Sequence, residues 1–407
     1  VQAPAGAGKT ELLVRRYLRL LATAAEPEEI LAVTFTRKAA AEMQRRILGA
    51  LAGDGTATDG DAAGSTAEMS QLVAAVRARD AARGWQLPHH PSRLRISTID
   101  ALNAALARSA PVSAGASVLR PVAQRPEQLY RLAARATLRL LAETDGPSVA
   151  AANLLRHLDN DPGRAEELLA QLLARRDQWL PFVGAGLDPV AARRNLESSL
   201  GRLVERELQR AEVGIPAELR AEVAEVVHAA AINRGVDLGS GTIAGRTLAE
   251  RGAWWRFTAA TFLTGDGEWR RKLDRNGGFP PDQKDLKAHA LGLLAALRAT
   301  DGLLEAFARV QTLPAPHYSA VQWSALESLL TLLPFGAAEL KLVFAAESAT
   351  DYAEIAAEGR AALGDEVAPS ELALRVDWRL QHLLLDEFQD TSQAQYALLR
   401  ALTRGWT

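Results

Sequence analysis

The hydrophobic positions near the start of the chain change from helical spacing to a continuous apolar run and back. Residues 10–21 place apolar side chains three and four positions apart, which predicts an amphipathic helix. Residues 30–35 form an apolar run of strand length, and residues 37–51 return to helical spacing. Val1-Gln2-Ala3 has the character of the end of a further buried strand. This order of strands and helices is typical of a parallel sheet covered on both faces.

Strand character appears at only two further places along the chain. Residues 94–97 form one such segment, and a helix is predicted to start after it with Asp100 as its N-cap. Residues 382–385 form the other. Residues 52–70 are small and acidic, which predicts a flexible loop.

The long segment between these strands has an almost wholly helical pattern, punctuated by proline and glycine turns. We therefore predict an α/β fold whose parallel-sheet core is interrupted by a large, mostly α-helical insertion. The predicted core comprises residues 1–110 and 370–407, and the predicted insertion comprises residues 111–369.

Composition narrows the class of protein without pointing to a function. The chain of 407 residues is long enough for two or three domains. It contains no cysteine, which excludes a disulfide framework and a thiolate metal site. The formal net charge of −2 gives the whole chain no attraction for nucleic acid, so any DNA binding must come from local patches. No apolar run reaches the 18 or so residues of a membrane span, and we interpret the chain as a cytoplasmic protein without membrane contact.

The segment Ala-Pro-Ala-Gly-Ala-Gly-Lys-Thr, residues 3–10, has the pattern of a Walker A phosphate loop. Lys9 would reach the β- and γ-phosphates, and the Thr10 hydroxyl would complete the shell of Mg²⁺. A chance glycine loop is the alternative, but the preceding strand and the following helix supply the context that the motif requires. The predicted nucleotide-binding residues of this loop are Ala5, Gly6, Ala7, Gly8, Lys9 and Thr10.

Two adjacent carboxylates, Asp386 and Glu387, follow the apolar run 382–385. Hydrolysis needs Mg²⁺ held from a second strand and a group that orients water. Asp386 would hold the magnesium and Glu387, which would also contact the nucleotide, would activate the attacking water. A solvated acidic strand end is the alternative.

Four segments that occur in order resemble a known family. They are Ala-Pro-Ala-Gly-Ala-Gly-Lys-Thr (3–10), Thr-Phe-Thr-Arg-Lys-Ala-Ala-Ala-Glu-Met (34–43), Ser-Thr-Ile-Asp-Ala-Leu (97–102) and Asp-Glu-Phe-Gln-Asp-Thr-Ser (386–392). They resemble motifs I, Ia, the next DNA-contact motif and II of the UvrD/Rep-like superfamily 1 DNA helicases. Residues 1–13 most resemble the RecB/AddA-like subgroup, which comprises exonuclease-linked helicases of bacterial double-strand-break repair and recombination.

The resemblance implies a RecA-like core and ATP-driven 3′→5′ movement on single-stranded DNA, with unwinding of duplex DNA. It further implies DNA contacts by Thr34, Phe35 and Thr98, and contact of Gln389 with the γ-phosphate and water network. For each of these three DNA-contact residues, packing in the core is the alternative. The choice of ATP as the nucleotide also rests on the resemblance, as does the expectation of a nuclease or helicase partner.

A tryptophan- and arginine-rich stretch of the predicted insertion leaves two interpretations open. Its residues are Trp254, Trp255, Trp269, Arg270, Arg271, Lys272 and Arg275. Interleaved aromatic and basic side chains fit a surface that contacts a DNA strand. Tryptophans that anchor a helical core beside a solvated basic turn fit equally well.

Further parts of the ATP site are expected to lie beyond Thr407. The family has a second RecA-like domain with arginines that complete the site, so we expect residues 1–407 alone to hydrolyse ATP poorly. The leading hypothesis is a motor enzyme. The alternative is a nucleotide- and DNA-binding module that regulates a repair complex without turnover, although Lys9 and Glu387 are intact. A non-helicase enzyme such as a kinase would leave residues 34–43 unexplained.

Overall fold

The computed structural model describes residues 9–52, 63–109, 120–143, 146–183, 188–239, 245–364 and 370–406. The predicted strand at Val1-Gln2-Ala3 and the phosphate-loop residues Ala5, Gly6, Ala7 and Gly8 lie outside these residues. For Lys9 and Thr10 the backbone is described but the side chains are not.

Among the described residues, three strands form a parallel sheet. Its strands are β1 (Ile30–Thr34), β2 (Arg95–Thr98) and β3 (His382–Leu385), in the order β2-β1-β3. Leu31 is paired with Arg95 on one side and with Leu383 on the other. The three predicted strands within the described residues are therefore confirmed, and so is their parallel arrangement. This sheet in a mostly helical chain is compatible with the predicted α/β class.

The described residues contain seventeen α-helices. Those next to the sheet in sequence are α1 (Lys9–Leu21), α2 (Arg37–Ala52), α3 (Ala63–Arg83), α4 (Ile99–Ser109), α16 (Glu371–Arg379) and α17 (Gln393–Leu402). The others are α5 (Pro126–Leu138), α6 (Gly146–His157), α7 (Pro162–Ala174), α8 (Arg176–Trp179), α9 (Pro189–Gly214), α10 (Arg220–Asn233), α11 (Leu248–Phe262), α12 (Lys284–Arg298), α13 (Leu303–Gln311), α14 (Ala320–Ala346) and α15 (Tyr352–Ala361).

Contacts between Cα atoms divide the chain into two compact units. The first unit comprises residues 1–151, 158–184 and 332–407, and the second comprises residues 152–157 and 185–331. The predicted domain boundaries near residues 110 and 370 stay a prediction.

Helices cover both faces of the sheet because side chains of β1 alternate between them. Ile30 and Ala32 lie in one apolar cluster, with side chains of α1, α2 and α3. Leu31 and Val33 lie in the other, with side chains of α4 and α17. The predicted apolar stripe of α2 is confirmed, since all four of its members are buried: Ala40, Met43, Ile47 and Leu51.

Helix α3 corrects the prediction of a loop over residues 52–70, because the chain is helical from Ala63. Small and polar residues at the start of this helix hid its periodicity. Met69, Leu72 and Val73 nevertheless pack against the cluster that covers one face of the sheet, and Val76 is fully buried within it. Burial of this apolar face stabilises a helix that the local composition does not favour.

The second unit has its own hydrophobic core, which includes buried aromatic side chains of α11 and α13. Trp254 and Trp255 are buried and meet edge to face, with ring centroids 5.0 Å apart. The ring centroid of Phe307 lies 6.0 Å from that of Trp255 and 5.9 Å from that of Trp269. The structure therefore supports the core interpretation of these tryptophans, while Arg271, Lys272 and Arg275 are exposed.

Helix α14 changes one sequence-based expectation. Its 27 residues have a mean hydropathy of 1.6 in the most apolar window, so it is long and apolar enough to span a membrane by length and composition. The expectation that no segment reaches this length is wrong for α14. One such helix is weak evidence, because core helices of folded proteins meet the same criterion. Its residues Leu332, Leu340 and Phe344 are buried within the first unit.

A buried ionic cluster holds the start of α15 in the first unit. We define the cluster as Tyr130, Arg176, Asp351 and Glu354. Arg176 is 4% exposed, and its guanidinium donates two hydrogen bonds to the Asp351 carboxylate, at 2.7 and 2.6 Å. A third, at 3.2 Å, reaches Glu354. The Tyr130 hydroxyl also donates to Asp351, at 2.7 Å. Burial alone would raise the pKa of the Asp351 carboxyl, but the Arg176 guanidinium outweighs burial and holds this pKa below its usual value.

Glu358, one turn after Glu354 on α15, gives a pH-dependent prediction. Burial raises the pKa of the Glu358 carboxyl and the Glu354 carboxylate raises it further, although Arg120 and Lys341 oppose this. Because the folded-state pKa is raised, ionised Glu358 destabilises the fold at neutral pH, and this penalty disappears as the pH falls through the raised pKa. Glu358→Gln is therefore expected to increase the free energy of unfolding at pH 7 and to change it little at pH 4.

Urea denaturation at the two pH values measures this difference. Glu371→Gln on α16 is the control, because the Glu371 side chain is 79% exposed. An equal effect of Glu358→Gln at both pH values would contradict the prediction.

Candidate functional site

The carboxyl ends of the three strands bring the predicted site residues to one edge of the sheet. Thr34 and Thr98 are paired as neighbours in the register of β1 and β2. The backbone N–H of Asp386 donates to the carbonyl of Val33 at 2.9 Å, which fixes the start of the acidic segment beside β1. Helix α1, which begins at Lys9, packs against β1 and β3. In parallel sheets of α/β proteins this edge is where ligands bind.

Glu387 has an unusual backbone conformation. Its φ of 49° and ψ of 44° lie in the left-handed region, which costs a residue with a Cβ about 1–2 kcal/mol. A short 3₁₀ turn, Phe388–Asp390, follows at once, and the Gln389 amide donates a hydrogen bond to the Glu387 carboxylate. Strained backbone of this kind is concentrated at functional sites. The conformation thus draws attention to the residue that the sequence predicts as the catalytic base.

The end of this turn is fixed by a capping box. Ser392 accepts a hydrogen bond from the backbone of Gln395, and the Gln395 side chain accepts one from the backbone of Ser392. Two donors at the start of α17 are thereby satisfied. The segment of residues 386–390, which we call the acidic turn, therefore lies between β3 and a helix with a complete capping box.

The two threonines of the predicted DNA-contact segments are buried and use their hydroxyls locally. The Thr34 hydroxyl donates to the carbonyl of Thr36 at 3.1 Å. The Thr98 hydroxyl accepts from the N–H of Ala101 at 3.2 Å, so it caps α4. Asp100, the predicted N-cap, instead lies in the first turn of α4, and that prediction is wrong. A DNA contact by either threonine stays a prediction.

Phe35 is 55% exposed at the end of β1. An aromatic ring that is mainly buried in the core would not have this exposure, so the structure does not support the alternative of core packing. Its role in DNA binding stays a prediction.

The acidic residue directly after the phosphate loop is balanced by two arginines. Glu11 pairs with Arg15 of its own helix at 3.1 Å and lies 3.8 Å from Arg46 of α2. Its negative charge is therefore offset close to the segment that is predicted to hold phosphate.

Two exposed aromatic residues beside the acidic turn were missed at the level of the sequence. Phe388 is 51% exposed and Tyr396 is 46% exposed, and their rings meet edge to face at 6.4 Å. The two residues lie eight positions apart across a turn and the start of a helix, so no regular period in the sequence relates them. The available sequence signal was Phe388, an aromatic residue within an acidic, polar segment.

The donor chemistry at this edge fits Mg²⁺. Magnesium is usually held by one or two carboxylates together with phosphate oxygens and water. Asp386 supplies a carboxylate at the carboxyl end of β3, and Thr10 lies in the first turn of α1. Among the described residues no group of three acidic, histidine or cysteine side chains is close enough together to hold a metal ion. A magnesium site at Thr10 and Asp386 stays a prediction.

Comparisons with known proteins identify the family of this chain. A family model, the UvrD/REP helicase N-terminal domain, matches residues 1–212 and 322–406, well over half of the chain. A 72-residue stretch is 44% identical to an ATP-dependent helicase/nuclease subunit of Levilactobacillus brevis. The match covers 18% of this chain and 6% of that protein. On the extent of the family match, the chain belongs to the UvrD/REP helicase N-terminal domain family.

Proposed function

We propose that this chain is the ATP-binding motor part of a DNA helicase that moves 3′→5′ on single-stranded DNA and unwinds duplex DNA. The observation that carries the proposal is the shared sheet edge. There the register of three parallel strands brings the segments of Thr34, Thr98 and Asp386 together. A motor needs nucleotide and DNA contacts on connected elements, and residues at this edge, which lie within the family match, would make both kinds of contact.

In the proposed mechanism the nucleotide lies at the start of α1. Backbone N–H groups of residues 5–10 would bind the phosphates, and Lys9 would neutralise charge on the β- and γ-phosphates. Mg²⁺, when bound with ATP, neutralises charge on the phosphate oxygens. Thr10 and Asp386 would hold it there.

Glu387 would accept a proton from the attacking water and orient it toward the γ-phosphate. Its left-handed backbone conformation sets the direction of the side chain at the end of β3. Gln389, whose amide bonds the same carboxylate, would sense whether the γ-phosphate is present. This hydrogen bond would link the nucleotide state to the turn Phe388–Asp390, which precedes α17.

Phe35 is the proposed stacking residue for a DNA base. Its ring is exposed at the same edge, and stacking of a base on an aromatic ring contributes about 1–3 kcal/mol. Thr34 and Thr98 would contact the DNA backbone next to it. Because both hydroxyls already make local hydrogen bonds, each would contact phosphate by sharing its oxygen or by exchanging its partner.

The cellular setting is proposed from the similarity to the helicase/nuclease subunit of Levilactobacillus brevis. Because that relative is named as a subunit of a helicase/nuclease, we propose that this motor works with a nuclease or helicase partner. A role in double-strand-break repair and recombination rests on the resemblance of residues 1–13 to the RecB/AddA-like subgroup. We place it in the cytoplasm, with residues 1–110 and 370–407 as the RecA-like core. Residues 111–369 would be the accessory insertion.

Lys9→Ala tests the proposal in the natural protein that contains this chain. Loss of a charge-assisted phosphate contact is expected to lower ATP hydrolysis stimulated by single-stranded DNA by about 10- to 100-fold. Lys284→Ala is the matched control, since Lys284 is exposed at the start of α12 in the second unit. Equal rates for wild type and Lys9→Ala would overturn the proposed mechanism.

A further inference from the structure

The buried ionic cluster, defined above as Tyr130, Arg176, Asp351 and Glu354, has no role in the proposed ATP chemistry. Its strongest pair is almost fully withdrawn from water, at 4% and 5% side-chain exposure. A buried ion pair is a poor source of net stability, because removing both charges from water costs about as much as their attraction returns. Such a pair can instead fix one arrangement of the elements that carry it.

The elements that carry the cluster are well separated in sequence. Arg176 lies on α8, Tyr130 on α5, and Asp351 caps α15 by accepting from the backbone of Glu354 at 2.8 Å. Thr350, the residue before Asp351, makes two backbone hydrogen bonds. Its N–H donates to the carbonyl of Pro121 at 2.9 Å, and its carbonyl accepts from the N–H of Ala123 at 2.8 Å. The position and direction of the first turn of α15 are thereby fixed from three sides.

Further along α15, close backbone contact fixes its position against α4. A Cβ at Gly359 would lie 2.8 Å from the carbonyl oxygen of Asn103 and 3.1 Å from its Cα. Real Cβ atoms essentially never come within 3.0 Å of another heavy atom, and the partner here is backbone that cannot rotate away. Any shift of α15 toward α4 must therefore displace α4.

Helix α4 begins directly after the predicted DNA contact. Thr98 ends β2 and caps α4 through the N–H of Ala101. A shift of α4 therefore pulls on the hydroxyl that is proposed to face DNA. The cluster, α15, α4 and Thr98 form one continuous packed path within the first unit.

We propose that Arg176, Asp351 and Gly359 are positioning residues for DNA binding, which seat α15 so that α4 holds Thr98 in its DNA-binding position. This inference rests on the proposed function, since it assumes that Thr98 contacts DNA. It assigns a task to a buried ion pair whose net contribution to stability is small.

The first test is Gly359→Ala in the natural protein. We expect the dissociation constant for a fluorescent oligo-dT strand to rise by about 2- to 30-fold, the range over which residues along a coupled path act. Binding of a fluorescent ADP analogue is expected to stay unchanged. Gly292→Ala is the matched control, because Gly292 lies inside α12 and a Cβ there would meet nothing within 4 Å.

The second test is the double variant Arg176→Met/Asp351→Asn, which covers the case that Gly359→Ala does not fold. Asparagine keeps the helix cap and the acceptor for Tyr130, and removing both charges together leaves no buried unpaired charge at position 351. Glu354 retains Lys341 at 3.6 Å. We expect an unfolding temperature close to that of wild type together with weakened oligo-dT binding.

The outcomes separate the inference from the proposed function. Wild type that fails to bind oligo-dT would overturn the proposed function and this inference with it. If wild type binds oligo-dT and the folded variants bind it with unchanged dissociation constants, the positioning role alone would be overturned. An equal loss of binding in Gly292→Ala would also overturn it, because that loss could not come from contact with α4.

Discussion

Glu387→Gln is expected to lower the rate of DNA-stimulated ATP hydrolysis by about 10²- to 10⁴-fold, the usual contribution of a positioned general base. Glutamine keeps the size of the side chain and its ability to hydrogen-bond Gln389, but it cannot take a proton from water. The affinity for nucleotide is expected to stay within a few-fold of wild type, because residues 5–10 would make most of the phosphate contacts. Single-turnover hydrolysis and equilibrium binding of a fluorescent nucleotide measure the two quantities separately.

One control variant and two contrary outcomes test this prediction. Glu371→Gln removes an equal charge from an exposed position of α16 and is expected to leave both quantities unchanged. A natural protein that binds nucleotide and DNA but shows no turnover, with or without the substitution, would favour a binding module without hydrolysis. Unchanged turnover in Glu387→Gln, with an active wild type, would remove Glu387 from the mechanism.

Gly278→Ala is expected to lower the free energy of unfolding of the second unit by about 2–5 kcal/mol. Gly278 has a φ of 93°, which a residue with a Cβ rarely adopts. Its Cβ would also lie 2.6 Å from the carbonyl oxygen and 2.8 Å from the Cα of Ala230 in α10. Because Ala230 is fully buried, neither backbone can move without opening the core. Urea denaturation followed by tryptophan fluorescence measures the loss, since Trp254 and Trp255 lie in the same core.

The preceding residue offers a matched control. A Cβ at Gly277 would meet Phe279 at 3.6 Å, an ordinary van der Waals distance, and its φ lies outside the left-handed region. Gly277→Ala is therefore expected to be much milder, although the two glycines are adjacent. Similar losses of stability for the two variants would show that the contact with Ala230 is not what requires glycine.

The sheet and its immediate helices could be predicted because their signals are local. Ile30–Thr34 is a continuous apolar run, and the stripe of α2 repeats at helical spacing. The site residues follow from the same signals, since a polar residue directly after such a strand lies at the carboxyl edge. The strand order could not be predicted, because the apolar runs do not indicate which strand lies in the middle. It follows only from the observed register.

The remaining features depend on contacts between distant parts of the chain or on competing local choices. Arg176 and Asp351 are 175 positions apart, and neither has a sequence context that predicts burial. Thr98 and Asp100 are both good helix caps, so only the observed hydrogen bond decides between them. The first turns of α3 are rich in small residues, which local composition alone assigns to a loop.

The pairing of β1 with β3 has a consequence for how the chain is made. Leu31 and Leu383 are register partners although they lie 383 − 31 = 352 positions apart in the sequence. At a synthesis rate of about 5–20 residues per second, β1 would wait roughly 20–70 s on the ribosome before β3 exists. During that time one edge of a fully buried strand has no partner and could pair with another nascent chain. We expect newly made chains to depend on chaperones until β3 is made, and translation speed through the intervening helices to affect the yield of folded protein.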